Sequence, residues 1–192
     1  MFKIKAYWKR MTRRMYSVNL LKRLGYSKST KLLIIHADDL GISGSENAAS
    51  IAAMENGMVN SGSVMVTCPH FPEIADYSKT HPEADIGIHL TLTSEWISFK
   101  WKPVLASEHV TSIIDSNGFF FESKALIIKN ALASEVEKEF RAQIFKALEA
   151  GIDLTHIDTH MYTAFSNDDI LKKYIYMGKN LIFQCLLPIN FL

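Results

Sequence analysis

Short apolar runs alternate with longer, more polar segments along most of this 192-residue chain. Four runs are predicted to be strands, and the first fits a strand buried on both faces, because strands of parallel sheets are almost continuously apolar. They cover residues 31–37, 59–67, 85–92 and 154–160. Helix-forming residues and their boundary signals predict helices over residues 45–56, 70–80, 134–150 and 168–179. This order indicates right-handed βαβ units and a parallel sheet, the α/β class.

The helix over residues 134–150 has the clearest boundary signals. Ser134, followed three residues later by Glu137, matches a capping box, and Gly151 is expected to end the helix. The segment before it, residues 93–133, breaks the alternation and is predicted to be a long inserted loop rich in aromatic residues. Loops of this length in compact domains usually serve a function.

Basic residues are concentrated at the start of the chain. Ten of the 21 Lys and Arg residues lie in residues 1–31, which contain no Asp or Glu. Apolar residues recur there at helical spacing, so residues 1–30 are predicted to form a basic amphipathic helix and residues 31–192 the folded domain. We favour packing of this helix on the acidic remainder of the chain. Contact with a membrane surface or with nucleic acid is the alternative, but no aromatic platform or recognised binding motif supports either.

The composition is that of an ordinary globular domain, with 48% hydrophobic and 21% charged residues. No apolar run approaches the ~18 residues of a membrane span, so no transmembrane segment is predicted. Cys68 and Cys185 are too few for a disulfide framework and lack the spacing of a metal site. The reduced cytoplasm is therefore the expected compartment.

Polar residues occupy three of the predicted strands, or directly follow them, at positions where apolar residues are expected. They are Asp38, Asp39, His89, His156, Asp158 and His160. Catalytic groups of parallel α/β folds collect at the carboxyl ends of strands, which predicts one shared site. Any one of these residues alone is more often structural, but their coincidence favours metal chemistry.

The spacing of these residues fits a metal centre. Side chains alternate along a strand, so His156, Asp158 and His160 are expected on one face. Two imidazoles and a carboxylate suit Zn²⁺ with an open position for water, and more oxygen-rich variants suit Mg²⁺ or Mn²⁺. Asp38 and Asp39 face opposite ways along an extended chain. One of them could bind the metal while the other, if the chain bends, acts as general base.

Four motifs follow one another along the chain: LIIHADDLG at residues 33–41, Asn47, GIHL at residues 87–90 and THIDTHM at residues 155–161. In this order they resemble the motifs of the YdjC-like deacetylases, a family that includes the chitooligosaccharide deacetylases. The resemblance extends from about Leu24 to Phe165 and includes Gln143. Four motifs in order over that span are far more specific than any one of them.

The resemblance implies a distorted (β/α) TIM-like barrel that removes N-acetyl groups from amino sugars or short oligosaccharides such as chitooligosaccharides. It assigns Asp39, His89 and His160 to a divalent metal ion, Mg²⁺ or Zn²⁺, and Asp38 to the role of general base. An acetylated amino sugar is the partner it implies.

Substrate contacts are expected from four further residues, His156, Asp158, Trp96 and Trp101. The two tryptophan rings could stack on sugar rings, although packing within the core is an equally good explanation of them.

The chain departs from the family pattern in two places. Met161, Tyr162 and Thr163 stand where many members carry a further His, which we treat as dispensable. Members also run well past residue 192, and TIM barrels typically have ~250 residues. We therefore expect an incomplete barrel, cut short at its C-terminal end. Its unpaired strand edge could drive association into a homo-oligomer.

Two other functions stay open. A truncated remnant could keep the fold and the metal and bind sugars without turning them over. The same ligands could instead serve the hydrolysis of a different bond, such as a phosphoester. That second alternative ranks last, because no basic, Gly-rich phosphate cradle accompanies the ligands.

Overall fold

The computed structural model describes residues 20–181 and 184–185. They fall into two units, with residues 20–34 in one and residues 35–181 and 184–185 in the other. The first unit contains helix α1 (Leu20–Arg23), followed by a turn at Gly25. The basic helix predicted over residues 1–30 lies mostly outside the described residues.

Five parallel strands form a single sheet in the second unit. They are β1 (His36–Leu40), β2 (Ser61–Val64), β3 (Ile86–Leu90), β4 (His156–Thr159) and β5 (Gln184–Cys185). The strands lie side by side in chain order, so each connection steps one position across the sheet in the same direction. This is the arrangement of successive βαβ units, and the predicted α/β class is confirmed.

Each of the four connections between the strands contains at least one helix. They are α2 (Gly44–Asn56), α3 (Phe71–Thr80), α4 (Lys124–Asn130), α5 (Ala133–Glu149) and α6 (Asp168–Leu181). Helix α2 begins where the Ser43 hydroxyl accepts a hydrogen bond from the backbone N–H of Glu46, and it ends at Gly57. Among the described residues, no helix combines the length and apolar character needed to cross a bilayer.

Alternation along the strands separates an apolar face of the sheet from a polar one. Ile86, Ile88 and Leu90 of β3 are buried in the hydrophobic core, and α5 packs against this strand. His89 lies between them in sequence and therefore points to the opposite face. That face carries a set of buried polar side chains from β2, β3 and β4: Ser61, Ser63, His89, His156 and Asp158.

The sheet curls toward its polar face. Two strands separate β1 from β4, a distance of about 14 Å in a flat sheet. Nevertheless Nε2 of His36 in β1 lies 3.1 Å from Oδ2 of Asp158 in β4. Such curvature is a requirement of the predicted barrel. Closure into a complete barrel stays a prediction, since β1 and β5 are the two edges of the sheet among the described residues.

Strand β1 begins and ends later than predicted. Residues 32–34 are exposed and belong to the first unit, and the strand runs from His36 to Leu40 instead of over residues 31–37. Pairing with β2 places His36 opposite Ser61 and Leu40 opposite Val64. Cross-strand pairing, and not apolar character alone, fixes where the strand lies. The two Asp residues are consequently part of the strand.

Two other local predictions need correction. Helix α5 has Leu132 as its N-cap, with no side-chain cap, so the capping role predicted for Ser134 is wrong. Glu137 instead forms an ion pair with Lys173 of α6, 2.6 Å away, which joins the two helices. The segment over residues 93–133 is not wholly irregular, because it contains α4 and two short 3₁₀ turns at Ser107–His109 and Thr111–Ile113.

Buried polar side chains of α5 hold the long segment after β3 in place. The Glu139 carboxylate accepts hydrogen bonds from the backbone N–H groups of Val104 and Leu105, at 2.9 and 3.1 Å. Gln143 accepts from the N–H of Thr91 and donates to its carbonyl oxygen, at 2.9 and 2.8 Å. Because Thr91 directly follows β3, this pair fixes the end of the strand that carries His89.

Candidate metal centre

The carboxyl end of β1 bends where its two acidic residues lie. Asp39 has a φ of 62°, in the left-handed region, and the pairing register with β2 shifts between Ala37 and Leu40. A bulge of this kind re-aims side chains at the rim of a sheet. Asp38 is left exposed, whereas Asp39 is partly buried. The chain therefore has the bend that would let one Asp bind a metal while the other acts as general base.

Asn47 of α2 holds the loop that follows this bend. Its side-chain oxygen accepts a hydrogen bond from the N–H of Gly41 at 2.7 Å. Its side-chain nitrogen donates to the carbonyl oxygen of His70 and to the carboxylate of Glu73, at 3.0 and 2.8 Å. Asn47 is itself 1% exposed. It thus links the loops after β1 and β2 at the same edge of the sheet.

Asp39 meets two buried histidines from different strands. Its Oδ1 atom lies 3.1 Å from Nε2 of His89, in β3, and 2.8 Å from Nδ1 of His160, which directly follows β4. The side chains of His89 and His160 are only 5% and 3% exposed. The three residues that the family resemblance assigns to the metal therefore converge.

The other nitrogen of each ring faces a second carboxylate. Nδ1 of His89 lies 2.6 Å from Oδ1 of Asp158, in the facing position on β4. Nε2 of His160 lies 2.9 and 3.1 Å from the two carboxylate oxygens of Glu95, in the segment after β3. Each histidine is thus held between two carboxylates.

These contacts shift the pKa values of the cluster strongly. Burial opposes ionisation of Asp39, but hydrogen bonds from His160 and His89 outweigh it and hold the Asp39 pKa well below its ordinary range. Burial also disfavours the charged form of His89, yet the Asp158 and Asp39 carboxylates raise its pKa to about 10. His160 has a raised pKa because Asp39 and Glu95 overcome its burial. The cluster concentrates negative charge around the two rings.

The donor atoms of Asp39, His89 and His160 suit a divalent cation. One ligand atom from each residue lies within 4.8 Å of the others. A carboxylate oxygen and two imidazole nitrogens form the ligand set of many three-residue catalytic zinc sites. The carboxylate oxygen already attracts the facing nitrogen of each ring, so the pocket has the electrostatic character that a cation requires. The residues present therefore fit the metal that the family resemblance implies.

A second group of polar residues lies on the same face of the sheet, nearer the amino ends of β1 and β4. One ligand-type atom from each of His36, His156 and Asp158 lies within 4.8 Å of the others. The His156 ring crosses β3 above Gly87, where a methyl group would collide with it. Burial lowers the pKa of His156. The Ser63 hydroxyl donates to Oδ2 of Asp158 at 2.8 Å and lies 3.1 Å from Nδ1 of His89, which ties this group to the one that contains Asp39, His89 and His160.

Asp38 is adjacent in sequence to Asp39 and acts electrostatically on Glu46. Burial raises the pKa of Glu46, in the first turn of α2, and the charges of Asp39 and Asp38 raise it further. The exposure of Asp38 leaves its carboxylate open to solvent at the carboxyl edge of the sheet.

The two tryptophans predicted to contact substrate occupy different environments. Trp101 is 2% exposed, donates its indole N–H to the carbonyl oxygen of Thr93, and lies 5.9 Å from the His160 ring, centroid to centroid. Trp96 is 46% exposed and touches Trp101 edge to face. Substrate contact by Trp96, Trp101, His156 and Asp158 stays a prediction.

Backbone strain follows His160 directly. Met161 and Tyr162 have φ values of 50° and 54°, in the left-handed region that residues with side chains rarely adopt. The Lys124 side chain donates to the carbonyl oxygen of Tyr162 at 3.1 Å, and the Thr163 hydroxyl donates to that of His160 at 2.9 Å. Strain of this kind is often found at functional sites. It lies at the position where the family resemblance implies a further His.

Sequence reasoning missed His36, Ser63 and Glu95. Strand periodicity offered a signal for the first two, because His36 is two residues before Asp38 and Ser63 interrupts a predicted apolar strand. Glu95 offered no comparable signal, since it follows β3 in a segment without regular structure. Only the fold brings it to His160.

Comparison with protein families matches residues 32–185 to the family described as YdjC-like protein. Among curated relatives, a carbohydrate deacetylase of Brevibacillus brevis is 38% identical over 128 residues, 67% of this chain and 48% of that protein. A carbohydrate deacetylase of Thermus thermophilus is 33% identical over 162 residues, 84% of this chain and 55% of that protein.

A crystal structure from Enterococcus faecalis V583 has a similar fold. The protein in that crystal is provisionally named for cellobiose-phosphate cleavage. Its structure matches this one with a TM-score of 0.76 and 29% sequence identity, and the match covers 85% of this chain and 62% of that one. The present chain spans about half the length of the curated relatives it matches. The family match covers all five strands of the sheet and every residue of the candidate metal centre, so the chain belongs to the YdjC-like family.

Proposed function

We propose that this chain is a metal-dependent hydrolase that removes N-acetyl groups from amino sugars or short oligosaccharides such as chitooligosaccharides. The observation that carries the proposal is the contact of a single Asp39 oxygen with His89 and His160, beside the exposed carboxylate of Asp38. The curated relatives are named carbohydrate deacetylases, which supports this choice of reaction.

In the proposed site, Asp39, His89 and His160 would hold a divalent ion, Zn²⁺ or Mg²⁺. Such an ion polarises an amide carbonyl and makes a bound water more acidic. Two nitrogen donors and one oxygen donor favour Zn²⁺, whereas Mg²⁺ prefers oxygen donors and retained water.

Asp38 is assigned the proton transfer. Its carboxylate accepts a proton from the water that attacks the carbonyl carbon of the acetamido group. As the C–N bond breaks, the leaving nitrogen takes up a proton, and return of the same proton from Asp38 balances the reaction. The products are acetate and a free amino sugar. Trp96, which is 46% exposed and lies against Trp101, would stack on a sugar ring.

The test is acetate release from N,N′-diacetylchitobiose and related N-acetylated sugars. The chain is first treated with a chelator and then assayed with Zn²⁺, Mg²⁺ or Mn²⁺, beside a panel of phosphoesters. We expect acetate to appear only when a divalent ion is restored. Metal binding without acetate release would favour a non-catalytic sugar- or metal-binding role, and phosphate release without acetate release would assign a different reaction.

A further inference from the structure

We infer that Asp158 and Glu95 are positioning residues that fix the two histidines in opposite orientations toward the metal. His89 presents Nε2 and His160 presents Nδ1, and each ring is held by a carboxylate on its other nitrogen. This inference rests on the proposed function, since it concerns the same metal. It reassigns Asp158 from substrate contact to support of a ligand, and it gives a role to Glu95.

Three hydrogen-bond donors converge on the Asp158 carboxylate. Oδ1 lies 2.6 Å from Nδ1 of His89, while Oδ2 lies 2.8 Å from the Ser63 hydroxyl and 3.1 Å from Nε2 of His36. The Asp158 side chain is 6% exposed. An acceptor-only group suits this position, because a carboxylate can satisfy all three donors at once. When Nδ1 of His89 carries its proton toward Asp158, Nε2 is free to act as a ligand.

Asp158 cannot reach the same metal as His89. It contacts Nδ1, whereas Nε2 of that ring contacts Asp39. The imidazole ring therefore stands between the two carboxylates. Ligand histidines commonly donate their second N–H to a carboxylate, which fixes both the tautomer and the orientation of the ring.

Glu95 makes the corresponding contact with His160, but on Nε2 and not on Nδ1. Its two carboxylate oxygens lie 2.9 and 3.1 Å from Nε2, and Nδ1 of the same ring faces Asp39. Glu95 is carried by the segment after β3, and its side chain is 25% exposed. The orientation of His160 thus depends on how this segment is folded, and the pairing of Gln143 with Thr91 anchors the start of that segment.

The experiment compares Zn²⁺ affinity, measured by calorimetric titration, in the unaltered chain and in the variants Asp158→Asn and Glu95→Gln. Asp76→Asn is the matched control, because Asp76 is an exposed carboxylate on α3 that pairs with Lys79. We expect Zn²⁺ to bind each positioning variant about 10- to 100-fold more weakly, the usual effect of losing such a partner. The control should bind as the unaltered chain does.

Histidine ¹⁵N spectra of the Zn²⁺-loaded unaltered chain supply a readout that a merely structural role would not change. They should show His89 protonated at Nδ1 and His160 protonated at Nε2. In Asp158→Asn the amide can donate to Nδ1 of His89, so the Nδ1–H signature of that ring should weaken while His160 keeps its own. Glu95→Gln should change the ¹⁵N signature of His160 alone. If Asp158→Asn fails to fold, Glu95→Gln by itself still tests the inference.

Equal Zn²⁺ affinity in the folded variants and the unaltered chain, or the same protonated nitrogen in both rings, would overturn the inference while leaving the proposed function intact. Failure of the unaltered chain to bind any divalent ion would instead contradict the proposed function, and this inference with it.

Discussion

Nδ1 of His160 lies 2.8 Å from Oδ1 of Asp39, a residue 121 positions earlier in the chain. The two side chains meet although β2 and β3 separate the strands that carry them. Curling of the sheet and the bulge at Asp39 together make this contact. A centre of this kind depends on tertiary structure throughout the second unit. Substitutions in the sheet should therefore alter the centre, and the charges of the centre should alter the stability of the fold.

The metal-free protein should lose stability as the pH rises from about 6.5 to about 10. Burial disfavours the charged form of His89, but Asp158 and Asp39 raise its folded-state pKa to about 10, above the value of 6.5 in an unfolded chain. A raised pKa stabilises the fold fully below the unfolded value, and the contribution declines as the pH approaches the folded value. Thermal unfolding in the presence of a chelator measures this.

The His89→Asn variant should show a flatter dependence on pH over the same range, whatever its starting stability. A chelated, unaltered protein whose melting temperature is constant or rises across this range would show that His89 is not held as a cation in the metal-free fold.

Gly87→Ala should destabilise the protein by about 1–3 kcal/mol, the usual cost of inserting a methyl group into a packed site. The added Cβ would collide with the His156 ring, which crosses β3 at this point. Urea unfolding measures the loss, and the double variant Gly87→Ala, His156→Ala should lose less than the two single effects added together. Gly44→Ala is the control, because no atom lies closer than 3.4 Å to its added Cβ. Additive losses would show that the ring does not occupy this space.

The parallel sheet could be predicted from the sequence because short, mostly apolar runs alternate with helix-forming segments. Ile86, Ile88 and Leu90 are typical of this pattern. The position of β1 could not be predicted, since residues 32–34 are as apolar as a buried strand and yet are exposed. Only the pairing of β1 with β2 distinguishes the strand at His36–Leu40 from the exposed apolar run before it.

The candidate centre was predictable where its residues lie in strands. His89, Asp158 and His160 stand at regular positions of β3 and β4 or directly after them, so periodicity brings them to one edge. Glu95 lies in an irregular segment, and its contact with His160 arises from tertiary packing that no local pattern encodes. The buried ring of Trp101 could not be predicted for a similar reason. Aromatic character alone does not distinguish a residue that packs in the core from one that stacks on a sugar.

Gln143→Leu should destabilise the protein by about 1–3 kcal/mol, because the buried N–H and carbonyl groups of Thr91 would lose their partners. Chemical denaturation measures the change, and Lys138→Ala, at an exposed site on the same helix, should stay within about 0.5 kcal/mol of the unaltered chain. A Gln143→Leu protein as stable as the original would mean that water or another group satisfies Thr91.

The most direct test of the central claim compares Asp38→Asn with Asp39→Asn, measuring bound Zn²⁺ and acetate release from N,N′-diacetylchitobiose on the same samples. If Asp39 holds the metal and Asp38 moves the proton, Asp38→Asn keeps one Zn²⁺ per chain but loses acetate release by about 100-fold or more. Asp39→Asn should lose both. Full acetate release by Asp38→Asn, or unchanged Zn²⁺ binding by Asp39→Asn, would contradict the account.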